Sequence, residues 1–130
     1  MNVQLFREIQ EAIRAEPEHF DMTMFFNGNP VTKCGTAACI GGWAVALGRL
    51  STPAVVANNL TIHEAAQFPT IANGYLDITN SQGCQLYYMA GWPEDLRNEY
   101  YTARAAKEFV KQADVACRRI DRFLESNGVN

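Results

Sequence analysis

Apolar residues recur along this chain at helical rather than alternating spacing, most clearly near its two ends. Val3, Phe6, Ile9 and Ile13 share one face while Glu8, Glu11 and Arg14 fall elsewhere around the wheel, which predicts an amphipathic helix over residues 3–15, closed by Pro17. Towards the other end, Phe109, Ala113, Ala116, Ile120 and Leu124 trace the longest apolar stripe in the sequence, stopped by Asn127-Gly128. Pro93 followed by Glu94 and Asp95 marks another helix start, because early carboxylates complement the positive end of the helix dipole.

The middle reads differently. Thr36 is the expected N-cap of a helix over residues 37–50, in which Cys39, Trp43, Ala46, Leu47 and Leu50 form one stripe and Ala38, Gly41 and Val45 make the opposite side equally apolar. A helix apolar on all sides belongs inside a bundle. Gly41 and Gly42 each cost roughly 1 kcal/mol relative to Ala, so close approach of a neighbouring backbone is expected there. Shorter helices follow, capped by Ser51 or Thr52, by Thr61 and by Thr79 or Asn80, with a turn at Asn73-Gly74 between the last two. Residues 18–32 lack a helical period. They read as a loop pinned by aromatics, Phe25 and Phe26 having strand character without an evident partner strand.

The expected fold is therefore all-α: one domain over residues 1–130, an irregular bundle of five or six helices around a central apolar helix at about residues 37–50. The C-terminal stripe should dock on that helix. The sequence contains neither a linker nor an internal repeat.

Composition and charge narrow the function classes. At 130 residues, 48% hydrophobic and 19% charged, the chain can bury one real core and is far from the composition of disordered proteins. A net charge of −3 supplies no field that would draw it onto nucleic acid or an anionic membrane, so neither is an expected partner. Asp21, Lys33, Arg49, Glu64 and Asp77 are the sole charged residues between positions 20 and 93, whereas residues 94–130 mix acids and bases in equal number, as a solvated helical surface does. The first residues do not form a secretory signal and no apolar run reaches membrane-spanning length, which makes the cytoplasm the expected compartment and Cys34, Cys39, Cys84 and Cys117 reduced thiols.

The stretch "KCGTAACIGGWAVALGRL", residues 33–50, concentrates the candidate chemistry. Free N–H groups at a helix start, glycines and a neighbouring lysine suit an anion, which makes Lys33, Cys34, Gly35, Thr36 and Cys39 a candidate site for a phosphate-bearing ligand such as a nucleotide messenger. The order of residues is not that of a phosphate-binding loop. The alternative is a thiol enzyme, with Cys34 or Cys39 activated by the helix dipole and His63 as base. Metal ligation by Cys34, Cys39, His63, Cys84 or His19 matches no recognised spacing, and no metal or cofactor is expected. A second region, "QLYYMAGWPEDLRNEYY", gathers residue types enriched at protein interfaces, and Tyr87, Tyr88, Trp92 and Tyr100 are the candidate partner-binding residues.

Taken in order, "FDMTMFF", "CGTAACIGGWA", "LDITNSQGCQLYYMAGWPEDLRNEY" and "RIDRFLES" resemble a group of small bacterial and phage proteins sharing a CGTxxCIxGWA-type motif and a downstream segment ending in Trp-Pro. Cys34, Gly35, Thr36, Cys39, Gly42, Trp43, Trp92 and Pro93 carry the resemblance. It implies a compact helical fold and a phage or prophage context, and no particular activity. The reading is thus a non-catalytic binding module engaging a host protein or a phosphate-bearing small ligand, with a thiol enzyme and a structural subunit of an assembly as alternatives.

Overall fold

The structure, a computed structural model, describes residues 1–22, 26–27 and 37–129. Among them the architecture is an all-α bundle, more finely divided than the sequence predicts. Eight α-helices are present: α1 (Val3–Ala15), α2 (Ile40–Gly48), α3 (Pro53–Asn58), α4 (Ile62–Ala66), α5 (Phe68–Leu76), α6 (Asn80–Tyr87), α7 (Glu94–Ala105) and α8 (Phe109–Ser126). Single 3-10 turns at Pro17–His19 and Met89–Gly91 join them, and two short strands, β1 (Phe26–Asn27) and β2 (Ala37–Ala38), pair antiparallel.

Local chemistry explains most boundaries. Asn2 opens α1 by accepting from the Leu5 N–H, and Thr52 and Thr61 do the same for α3 and α4. Thr79 opens α6 with a full capping box, its hydroxyl accepting from Gln82 while the Gln82 side chain accepts from the Thr79 N–H. Four helices, α2, α5, α7 and α8, stop in the same way. The chain turns left-handed at Leu50, Asp77, Lys107 and Gly128, and the next N–H reaches back five residues to close the end.

Three expectations are corrected. The central helix begins at Ile40 rather than Ala37, because Ala37 and Ala38 are extended and pair with Asn27 and Phe26, the partner that the sequence pattern did not reveal. Asn73-Gly74 makes no turn: it lies inside α5, where Pro69 occupies the first turn and so starts the helix. Finally, α8 packs against α1 and α7 rather than chiefly against α2.

The core has two seams. Residues Ile40–Ala46 of α2 are buried throughout, as a helix surrounded by α1, α5, α6 and α3 must be. The second seam joins α1 to α8, antiparallel, through Phe6 against Phe123 and a polar stitch in which Gln10 Nε2 donates to the Cys117 carbonyl and to Asp121.

Candidate functional site

Cys39 sits where the sequence places reactive chemistry, at the N-cap of α2. Its environment reverses the expected activation. The Gly42 and Gly41 N–H groups pull the thiol pKa down, but burial outweighs them and pushes it up to about 11, with Asp21 adding in the same direction. With 1% of its surface exposed, Cys39 is buried at the start of α2, where desolvation favours the thiol over the thiolate that a dipole argument predicts. His63, the expected base, is exposed on α4. Lys33, Cys34, Gly35 and Thr36 lie outside the described residues.

The segment before β1 is clamped over this helix start. Trp43 Nε1 donates to the His19 carbonyl at 3.1 Å, the Asp21 N–H to the Ala38 carbonyl at 3.0 Å, and the Met22 N–H to the Tyr100 hydroxyl at 2.9 Å. Tyr100 is thus a core residue. Its ring meets Phe20 and Trp92 edge-on, and burial pushes its hydroxyl pKa up to about 12.

The remaining aromatics follow suit. Trp92 is buried and donates Nε1 to the Leu86 carbonyl; Tyr87 is buried and donates its hydroxyl to Asn73 Oδ1. Desolvation holds the Tyr87 hydroxyl well above the ordinary tyrosine range. Three of the four expected partner-binding residues, Tyr87, Trp92 and Tyr100, therefore serve packing, and Tyr88, 45% exposed, is the one with a ring at the surface. Each buried ring spends its polar atom on a partner inside the protein, as buried Tyr and Trp require.

Apolar exposure lies elsewhere. Leu50 is 96% exposed, Ile62 87% and Val55 half exposed in the connection from α2 to α5, and Val110 and Phe109 are exposed at the start of α8. A salt bridge of 2.7 Å from Arg49 to Glu64 fastens α4 to the end of α2. Arg49 Nε also donates to the Tyr75 hydroxyl, and the Tyr75 ring lies flat enough on Gly48 that a Cβ there would sit 2.4 Å from Cδ1. Positions 50–62 carry no charged residue. A sequence signal for this exposed stretch existed in that missing charge, with Ile62 directly after a capping Thr61 and therefore in a solvated first turn.

A concavity of about 580 Å³ lies along the junction of α7 and α8, with Ala103 and Val115 in its lining and charged groups around them. Those charges are matched within the two helices, Glu99 and Asp114 by Arg118, Asp95 by Arg122 and Glu108 by Lys111.

Among the described residues, no three His, Cys, Asp or Glu side chains group as metal ligands, and no helix is long and apolar enough to cross a membrane. No family model, curated protein or solved structure matches the chain.

Proposed function

We propose that this protein is a non-catalytic binding module that engages a partner protein through the connection from α2 to α5, where Leu50, Val55 and Ile62 are exposed. The observation that carries the reading is the exposure of Leu50 and Ile62 in a stretch without charge. Burial of an aliphatic side chain of this size is worth about 1.5–3 kcal/mol, which the isolated chain forgoes at both positions. The partner's facing surface is apolar and uncharged, since a charge brought against positions 50–62 would be buried unpaired. A bacterial host protein is the partner that the resemblance to bacterial and phage proteins suggests.

The thiol-enzyme alternative loses its footing at Cys39, whose sulfur is buried and held protonated. The phosphate-ligand alternative is left with Lys33, Cys34, Gly35 and Thr36.

The test is quantitative capture from cells with the wild-type chain, the double variant Leu50→Glu/Ile62→Glu, and Lys111→Ala as a remote surface control. A protein held in stoichiometric amount by wild type and control, and lost by the double variant at unchanged thermal stability, supports the reading. Retention of the same protein by the double variant overturns it, as does the absence of any stoichiometric partner.

A further inference from the structure

We draw no further inference here: the strongest candidate, the open concavity between α7 and α8, carries nothing because Asp95, Glu99, Glu108 and Asp114 are each already paired with an arginine or lysine of the same two helices, and nothing in the structure shows what would displace those pairs.

Discussion

The Tyr87 hydroxyl donates to Asn73 Oδ1 at 2.8 Å, a buried bond that ties α6 to α5. Asn73 Nδ2 in turn donates to Asn80 Oδ1, so the buried amide uses both ends. The arrangement depends on Gly83, where a Cβ would lie 2.2 Å from Asn73 Oδ1 and 3.0 Å from Tyr87 Cε2.

Gly83→Ala should therefore destabilise the fold by about 1–3 kcal/mol, the usual cost of overpacking, with loss of the Tyr87–Asn73 bond. Gly74→Ala is the matched control. Nothing lies within 4 Å of its would-be Cβ, so it should stabilise α5 by about 0.5–1 kcal/mol. Chemical denaturation of both variants checks the pair, and equal effects would refute the packing argument.

Leu50 holds φ 54° at the end of α2, in the left-handed region that glycine adopts freely. Leu50→Gly should raise stability by about 1 kcal/mol, because a branched side chain pays roughly 1–2 kcal/mol there and Leu50 contributes almost no burial in return. The same variant should weaken capture of the partner protein. Thermal melting read beside capture separates the two effects.

Alkaline pH should destabilise the protein through its buried thiols. Cys39 and Cys117 both titrate near 11 in the folded chain against 9.0 when unperturbed, so above about pH 9 the unfolded chain releases these protons first. Their contribution is complete below pH 9 and is lost as pH rises towards 11, on the order of 2 kcal/mol for Cys39. Tyr100, raised to about 12, extends the decline. Melting temperature measured from pH 7 to 11 should stay level and then fall, with a shallower fall in Cys39→Ala.

Arg119 is buried with no carboxylate partner among the described residues, and its Nε and Nη2 donate to the Gln85 carbonyl at 3.3 and 3.1 Å. That carbonyl belongs to the last turn of α6, so the negative end of the helix dipole supplies the missing counter-charge. Desolvation first, and Arg122 second, lower the guanidinium pKa. Arg119→Met should cost about 1.5–3 kcal/mol by stripping the carbonyl of a charged donor, and Arg119→Lys should restore only part of it. Urea unfolding of the three chains decides the matter.

The sequence was most legible where one residue settles a local choice. The Thr52, Thr61 and Thr79 caps and the Gly128 stop stand where their chemistry puts them, and the uniformly apolar α2 is buried as its pattern demands. What stayed hidden was decided by tertiary contact. Ala37 and Ala38 favour helix locally, yet pairing with Phe26 and Asn27 draws them into extended backbone and moves the cap from Thr36 to Cys39. The helix stops at Asp77 and Lys107 were not legible because neither is a glycine. Tyr87, Trp92 and Tyr100 look the same in a sequence whether they face solvent or core, and only the partners of their polar atoms distinguish the two.

The seam between α1 and α8 also sets the order in which the molecule can be built. Arg7 reaches Asp121 and Gln10 reaches Cys117, contacts more than a hundred residues apart along the chain. During synthesis, then, the side of α1 that faces α8 must wait for α8 to emerge, so that closure of this seam is late and slow relative to contacts between chain neighbours. A ribosome-bound fragment lacking α8 would leave Phe6 without the Phe123 ring that it packs against.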